Sequence, residues 1–386
     1  MTVTSPKGFR AAGTTAGLKA SGKPDLALVV NDGPDHVVAA VFTSNRVVGH
    51  PITWSRQVVS DGRADAVVLN SGGANVCTGP EGFLDTHRTA EAVADALHIS
   101  SGDVVVCSTG LIGQRLPIDT LLAGIEPAVS ALSSTGGADA AQAIMTTDTV
   151  PKQAVATGEG WAVGGIAKGA GMLAPALATM LVVLTTDAVL DPQTADTALR
   201  AATRVTFDRV DSDGAMSTSD TVVLLASGAS GITPSTEAFT QTLTATCAEL
   251  ARSLVADAEG ASHDIAVQVV GATSEDAAVA VARAVTRSAL VKTAIFGNDP
   301  NWGRILAQVG TVPQAIAPFE ADEVDVSIND VMVCRAGGAY QGRENVDLTN
   351  REVQIQIDLH AGDAHATVWT NDLTHDYVHE NSAYST

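Results

Sequence analysis

The chain has 386 residues, and its 22 Lys and Arg stand against 43 Asp and Glu, which gives a formal net charge of −21. Such a field repels phosphate backbones, and this argues against nucleic-acid binding. Hydrophobic residues make up 45% of the chain but aromatic ones only 4%, so we expect a globular protein with a core of Ala, Val, Leu and Ile.

The sequence also lacks the common signatures of metal, nucleotide and membrane binding. Its four cysteines lie far apart, with no C-x-x-C pair and no histidine at metal-ligand spacing. There is no H-E-x-x-H, no nucleotide P-loop and no G-x-G-x-x-G after a strand. The N-terminus has no apolar signal core, and no apolar run is long enough to span a bilayer. We therefore expect a cytoplasmic protein with no metal and no membrane contact.

Short β-rich runs alternate with Ala-rich helical stretches from end to end. The predicted strands are Leu26–Val30, Val37–Thr43, Ala66–Leu69, Val104–Cys107, Met180–Thr185, Thr221–Ala226, Ile265–Val270, Val324–Ile328, Val353–Leu359 and Ala366–Trp369. The predicted helices are Leu84–Leu97, Ile118–Leu132, Ala138–Met145, Pro192–Val205, Thr236–Ala256 and Asp276–Val291. Strand pairs cluster near both ends of the chain, which favours mixed or antiparallel sheets covered by helices. The predicted class is α/β of the α+β kind.

The most informative stretch spans residues 168–180. A glycine-rich turn and Pro175 lead into Ala178-Thr179, and an apolar strand follows. If the Thr179 hydroxyl attacks the Ala178 carbonyl, the peptide becomes an ester that water hydrolyses. The new N-terminal threonine then carries a nucleophile and a base, its hydroxyl and its α-amine, on one residue. On its own, the pattern is more typical of a turn before a strand.

Other loops combine residues that suit a site. The loop Asn70–Asn75 follows a buried strand, and a hydroxyl beside a glycine N–H at Thr109-Gly110 suits an oxyanion hole. Hydroxyls crowd Thr146–Thr149, and the turn Phe296–Arg304 combines amides, a carboxylate, a tryptophan and an arginine. Each loop also has an ordinary reading as a turn, a cap or a buried polar network. Lys168 and Glu259 are single charges among small residues, and most such charges are simply solvated.

Taken together, these segments resemble the ornithine acetyltransferase family, the bifunctional glutamate N-acetyltransferases of arginine biosynthesis. The resemblance covers nearly the whole chain, in segments that occur in the family's order. These are Asn70–Asn75, Ser108-Thr109-Gly110, Thr146–Thr149, Lys168–Leu181, Asp257–Gly260, Gly297–Arg304 and the C-terminal Asp376-Tyr377-Val378, Asn381, Tyr384 and Thr386.

The resemblance implies a self-processing enzyme with a fold like that of the N-terminal-nucleophile enzymes. Cleavage between Ala178 and Thr179 would give an α chain of residues 1–178 and a β chain of residues 179–386, associated as a heterotetramer of two of each. Thr179 would take acetyl from N-acetylornithine as an ester and pass it to glutamate, releasing ornithine and forming N-acetylglutamate. No cofactor is implied, and it stays open whether acetyl-CoA also serves as a donor.

The resemblance also assigns roles to individual residues. Thr109 and Gly110 match the family's oxyanion donors. The matching substrate-binding positions are Thr147, Lys168, Thr179, Glu259, Asn381 and Thr386. The chain departs from the family at Ala176, where Asn, Asp or Gly is frequent, and at His263, where Lys or Arg is frequent.

Two other functions fit parts of the sequence. A self-processing aminopeptidase or amidohydrolase of related fold would pass the acyl group to water instead of glutamate, and that family is more often built around serine. A non-catalytic amino-acid-binding protein would stay uncut. Acceptor dependence of acetyl release separates the first from an acetyltransferase, and the mass of the purified chain tests the second.

Overall fold

A computed structural model describes residues 2–174 and 180–383. They form two compact units. Unit 1 contains residues 2–174, 180–208 and 215–257, and unit 2 contains residues 209–214 and 258–383.

The strands of unit 1 form two sheets, and helices lie between and after them. Its strands are β1 (Phe9–Thr14), β2 (Leu26–Asn31), β3 (Val37–Phe42), β4 (Ala66–Asn70), β5 (Val104–Ser108), β6 (Lys152–Thr157), β7 (Ala162–Lys168), β8 (Leu181–Thr186) and β9 (Thr221–Ala226). Its helices are α1 (His50–Val58), α2 (Gly79–Leu97), α3 (Ile118–Ala123), α4 (Ile125–Ser130), α5 (Gly137–Ala143), α6 (Pro192–Val205) and α7 (Thr236–Ala256).

Both sheets of unit 1 are mixed. The four-stranded sheet has the order β1-β2-β4-β5, in which only β4 and β5 are parallel. The five-stranded sheet has the order β3-β9-β8-β7-β6, in which only β9 and β8 are parallel. Every residue of β4, β5, β8 and β9 is buried, which explains their continuous apolar sequences.

The two sheets of unit 1 share one hydrophobic core. Leu28 and Val68 of the four-stranded sheet belong to the same buried cluster as Val183 and Val223 of the five-stranded sheet. Helices α6 and α7 contact the five-stranded sheet, and α1 and α2 contact β5 of the other. The two sheets therefore pack on each other through this core, and helices lie outside them. The ends of β5 and β7 both belong to this unit.

Unit 2 is built on a six-stranded sheet. Its strands are β10 (Asp264–Ala272), β11 (Asp325–Ile328), β12 (Val331–Arg335), β13 (Gly338–Ala339), β14 (Glu352–Asp358) and β15 (Ala364–Asn371), in the order β13-β12-β11-β14-β10-β15. Its helices are α8 (Glu275–Thr286), α9 (Ala289–Phe296), α10 (Trp302–Val309) and α11 (His375–Ala383). In β10 and β14 buried residues alternate with more exposed ones, so one face packs on α8 and the unit has its own core.

The predicted class, with mixed sheets covered by helices, is confirmed. The predicted bounds of α6, α7 and β9 coincide with those observed. Helices α6 and α7 have the start signals that the sequence offers, because Asp191 accepts a hydrogen bond from the Thr194 N–H and Ser235 from the Ala238 N–H. Within residues 2–174 and 180–383, every helix is too short or too polar to cross a bilayer.

Two predicted helices are wrong as single elements. The segment Ile118–Leu132 forms α3 and α4, separated at Gly124. The segment Asp276–Val291 forms α8 and the start of α9, because Ser288 caps a new helix by accepting from the Val291 N–H. Apolar spacing continues through both breaks, so periodicity alone could not reveal them.

The sequence analysis missed several short or glycine-containing elements. In the part of the chain that the structure describes, these are β1, β6, β7, β12, β13, α1, α10 and α11. In β7 the glycines allow close packing, since a Cβ at Gly164 would lie 2.4 Å from the Thr2 carbonyl oxygen.

The boundary between the units is not the predicted division at residues 178 and 179. Strand β7 precedes that point and β8 follows it, yet the two strands pair along their length, with Lys168 opposite Leu181. The two compact units therefore do not correspond to the two chains that cleavage would produce. The chains of residues 1–178 and 179–386 stay a prediction.

Candidate active site

Thr109 and Gly110 lie directly after β5, beside the turn that follows β4. The Thr109 N–H donates to the Asn70 carbonyl (3.0 Å), and the Gly73 N–H donates to the Thr109 carbonyl (3.0 Å). Gly110 has φ 132°, and a Cβ there would lie 2.7 Å from the Gly73 nitrogen. Only glycine satisfies both conditions, so the predicted Thr-Gly pair is a fixed strand end.

Lys168 ends β7 and points at Thr109. Its ammonium donates to the Thr109 hydroxyl oxygen at 3.4 Å, and both residues are only 2% exposed. A cation beside a buried hydroxyl stabilises negative charge that develops nearby. The structure therefore brings together two predicted site residues that are 59 positions apart.

A buried charge network supports this corner of unit 1. The Lys152 ammonium lies 2.6 Å from an Asp148 oxygen and 2.5 Å from an Asp257 oxygen. The Gly169 N–H, next to Lys168, also donates to Asp148 (2.7 Å). Burial tends to raise the pKa of Asp148, but the charges of Lys168 and Lys152 and these hydrogen bonds outweigh it and lower the pKa to about 2.

Thr147 is partly exposed and adjoins this network in the loop between α5 and β6. Its neighbour Asp148 fixes the loop by accepting from the Thr146 N–H at 3.0 Å. Among the hydroxyl residues of Thr146–Thr149, Thr149 has a structural role, because its N–H (3.0 Å) and its hydroxyl both donate to Asp257.

The chain after the proposed cleavage point is anchored by another buried carboxyl. The Met180 N–H donates to Asp220 at 3.1 Å, and the Thr221 N–H donates to the Met180 carbonyl at 3.1 Å. Asp220 is fully buried, and burial raises its pKa well above the usual range of a carboxyl group. The predicted cleavage residues Ala178 and Thr179, with the variable position Ala176, lie outside the described residues.

In unit 2, Glu259 and Asn381 meet. The Asn381 side-chain amide of α11 donates to a Glu259 carboxylate oxygen at 3.0 Å. Gly260 makes the close approach possible, because a Cβ there would lie 2.2 Å from the Tyr377 nitrogen. Two more predicted substrate-binding residues are thus in contact, whereas Thr386 lies outside the described residues.

Glu259 also lines a cavity of about 210 Å³ within unit 2, together with Asp213, Lys292 and Tyr377. Lys292 is 8% exposed, and burial lowers its pKa to about 8 although Asp213, Asp211 and Asp372 act against this. A cavity with charges of both signs suits a zwitterionic amino acid.

The Phe296–Arg304 turn has mainly structural contacts. Asn301 caps α10 by accepting from the Arg304 N–H (3.2 Å), and its amide donates to Asp299 (2.9 Å). The Arg304 guanidinium donates to the Leu290 carbonyl (2.7 Å). Of the two readings that the sequence left open, these contacts favour the structural one.

Comparisons with known proteins agree over the full length of the chain. The ArgJ family model matches residues 10–386. A Streptomyces coelicolor arginine biosynthesis bifunctional protein ArgJ is 62% identical over the whole of both chains, and the Thermobifida fusca protein of the same name is 60% identical over the whole of both. The chain belongs to the ArgJ family. The predicted family and enzyme class, an acetyltransferase of arginine biosynthesis, are thereby confirmed.

One solved structure of an ArgJ relative is an ornithine acetyltransferase from Mycobacterium tuberculosis, complexed with ornithine. It is 57% identical to this chain, and the match covers 47% of this chain and 96% of the other, with a TM-score of 0.45.

Sequence reasoning missed several charged residues near the predicted ArgJ site residues. Lys152 and Asp220 each adjoin a segment that the sequence analysis quoted, and Asp220 stands directly before the apolar strand β9. Lys19 lies in a small-residue loop with no signal beyond its charge, yet it interacts electrostatically with Lys168.

The sequence departure at His263 has a local explanation, because its ring nitrogens face Asp372 (2.8 Å) and the Leu348 carbonyl (3.0 Å), two acceptors that also suit a Lys or Arg.

Proposed function

We propose that this ArgJ-family protein cleaves itself between Ala178 and Thr179 and then transfers acetyl from N-acetylornithine to glutamate. The observation that carries the proposal is the contact of Lys168 with Thr109 beside the start of β8. Leu181 pairs with Lys168, so the strand that begins two residues after Thr179 runs next to this contact.

The first step forms the nucleophile. The Thr179 hydroxyl attacks the Ala178 carbonyl, and the acyl group moves from nitrogen to oxygen. Water then hydrolyses the ester, which leaves a carboxylate on Ala178 and a free α-amine on Thr179. Strands β7 and β8 lie on opposite sides of this point and pair with each other, which supports continued association of the two chains. The family resemblance extends this to a heterotetramer of two of each.

Acetyl transfer follows by double displacement. The Thr179 hydroxyl attacks the acetyl carbonyl of N-acetylornithine, and its α-amine, with an ordinary pKa of about 7.7–8.0, accepts the proton. Collapse of the tetrahedral intermediate returns the proton to the leaving nitrogen, releases ornithine and leaves an acetyl ester. The amine of glutamate then attacks the ester, which forms N-acetylglutamate and restores the hydroxyl.

The residues of unit 1 supply the electrostatic part of the reaction. Thr109 and Gly110 donate to the oxyanion of each tetrahedral intermediate, and Lys168 adds positive charge on the same side. By the family resemblance, the substrate-binding residues are Thr147, Lys168, Glu259, Asn381 and Thr386. No metal or bound coenzyme takes part in this scheme.

Mass spectrometry of the purified protein tests the cleavage step. We expect two fragments that meet at Thr179 in the wild type, a single uncut chain with no transferase activity in Thr179→Ala, and partial cleavage and activity in Thr179→Ser. A fully active, uncut wild type would contradict the scheme, because one hydroxyl serves both reactions.

Release of labelled acetyl with and without glutamate separates the acetyltransferase from the alternative hydrolase. We expect release to depend on glutamate, whereas acetate release without an acceptor would favour an amidohydrolase. Replacing N-acetylornithine with acetyl-CoA in the same assay determines whether the chain uses this second donor.

The oxyanion role is tested by Thr109→Val, which removes the hydroxyl at nearly constant volume. We expect kcat to fall on the order of 10²–10³-fold with a smaller change in KM, as for loss of one oxyanion donor. Thr240→Val is the matched control, since that hydroxyl donates within its own helix, to the Thr236 carbonyl. An unchanged kcat in Thr109→Val would remove Thr109 from this role.

A further inference from the structure

The loop that carries Lys19 is held rigidly against the candidate site. The buried carboxylate of Asp25 accepts hydrogen bonds from four consecutive backbone N–H groups, those of Ala16 (2.6 Å), Gly17 (3.1 Å), Leu18 (2.6 Å) and Lys19 (3.0 Å). Four donors on one carboxylate fix the backbone of the loop. The position of Lys19 is therefore set by the fold.

The same loop packs on the turn that supports the predicted oxyanion hole. A Cβ at Gly72 would lie 2.3 Å from the Leu18 Cβ, and Gly73 in turn lies against Gly110. The loop that carries Lys19 thus packs on the turn that contacts Gly110.

The Lys19 ammonium is partly buried and has only neutral partners within hydrogen-bonding distance among the described residues. It donates to the Pro24 carbonyl (2.8 Å) and to the Met145 carbonyl (2.7 Å), two residues before Thr147. A lysine has three N–H donors, so one remains for another acceptor. Burial and, as a smaller cause, the charge of Lys168 lower the pKa of Lys19 to about 8 against the opposing effects of Asp25 and Asp148.

Lys19 and Lys168 repel each other and adjoin one loop, because Lys19 donates to the Met145 carbonyl and Asp148 accepts from the Gly169 N–H next to Lys168. Asp148 accepts from Lys152, from the Gly169 N–H and from the Thr146 N–H. An additional anion between Lys19 and Lys168 would relieve their repulsion and accept a charge-assisted hydrogen bond from each.

We infer that Lys19 binds the substrate α-carboxylate together with Lys168. The inference rests on the proposed function, because it concerns the substrates of that site. The α-carboxylate is the charged group that N-acetylornithine and glutamate have in common, so one cation pair serves the donor and the acceptor in turn. Lys19 acts in binding and makes no bond to the acetyl group that is transferred.

Lys19→Met removes the charge and nearly keeps the length of the side chain. We expect KM to rise for both N-acetylornithine and glutamate by roughly 10–100-fold, the range for loss of one charge-assisted hydrogen bond. We expect kcat to change by less than about threefold, since a group that holds substrate and transition state alike affects KM. Lys19→Arg keeps the charge and should restore much of the affinity.

A pair of competitive inhibitors separates carboxylate binding from a structural effect. Putrescine is ornithine without its carboxylate. In Lys19→Met the inhibition constant of ornithine should rise by the same factor as KM, while that of putrescine stays unchanged. The matched control is Lys23→Met, which removes an exposed charge from the same loop and should change neither constant.

Each other outcome overturns the inference. Equal weakening of ornithine and putrescine would mean that Lys19 only supports the Met145 carbonyl and its loop. A rise in KM for glutamate alone would assign Lys19 to the side-chain carboxylate, and unchanged constants would remove it from the site. Wild-type protein without acetyl transfer would refute the proposed function instead, a result that the Lys19 variants do not affect.

Discussion

Two aspartates of unit 1 are both buried beside the candidate site, yet their charges respond to burial in opposite ways. Asp148 is 8% exposed and Asp220 is 0% exposed. The pKa of Asp148 is lowered to about 2, whereas that of Asp220 is raised well above its usual range. Depth of burial therefore does not decide whether a carboxyl in this protein is ionised.

The difference lies in the partners. Burial raises the pKa of both groups, but Asp148 faces two ammonium groups and accepts from two backbone N–H groups, which stabilise its ionised form. Asp220 accepts hydrogen bonds from the Met180 N–H and the Ser217 side chain, and the charge of Lys168 lowers its pKa less than these do, so burial prevails. Two lysines thus hold the pKa of Asp148 low, whereas burial raises the pKa of Asp220, beside the peptide that follows Thr179.

The largest expected effect comes from removing the cation that Asp148 and Asp257 share. Lys152→Met leaves two buried carboxylates without their ion pair, so the free energy of unfolding should fall by about 3–5 kcal/mol at pH 7. Urea unfolding, followed by circular dichroism in the Thr179→Ala background, compares all variants as one uncut chain. Arg200→Met is the control, because its pair with Asp196 is exposed and should contribute about 0.5 kcal/mol or less. Equal losses in the two variants would refute the importance of the buried network.

Asp148→Asn should have the next largest effect, with a defined pH dependence. A pKa lowered from 3.8 to about 2 corresponds to about 2 kcal/mol of stability at pH 7. Because the folded pKa lies below the unfolded one, this stability is present above about pH 4 and is lost as the pH falls towards 2. The difference in stability between the parent protein and the Asp148→Asn variant should therefore shrink over that window. A difference that is constant from pH 7 to pH 2 would show that Asp148 contributes by shape and not by charge.

The sequence predicted the parts of this region that depend on local pattern. Apolar runs identified β4, β5, β8 and β9, and the Thr-Gly pair at residues 109 and 110 lies at a strand end as expected. Lys168 was identified as a single charge among small residues, and the structure brings it to Thr109.

Other parts could not be read from local pattern because they depend on pairing between distant segments. Lys152 and Asp257 are 105 positions apart, and the low pKa of Asp148, in a loop, depends on Lys168 at the end of β7. Lys19 shows the same limit, since its partner carbonyl belongs to Met145, 126 positions away. Glycine-containing strands such as β7 have no apolar alternation, although β7 is the strand that carries Lys168.

Asp220→Asn should have the smallest effect on stability and the opposite dependence on pH. The asparagine keeps an oxygen for the Met180 N–H and never ionises, so near pH 4 the free energy of unfolding should change by about 1 kcal/mol or less. The wild-type group has a raised folded pKa, so its stability is present below the unfolded pKa and is lost as the pH rises through the folded one. The variant should accordingly become more stable relative to wild type as the pH rises above about 4.

A variant that instead loses stability as the pH rises would mean that Asp220 is ionised and paired. That outcome would also weaken the proposed chemistry. A carboxylate at the peptide that follows Thr179 would stabilise the ammonium form of the Thr179 α-amine and raise its pKa, which makes it a poorer base at pH 7. A neutral Asp220 anchors Met180 without this effect, so the pH trend of Asp220→Asn tests whether burial keeps the nucleophile's base available.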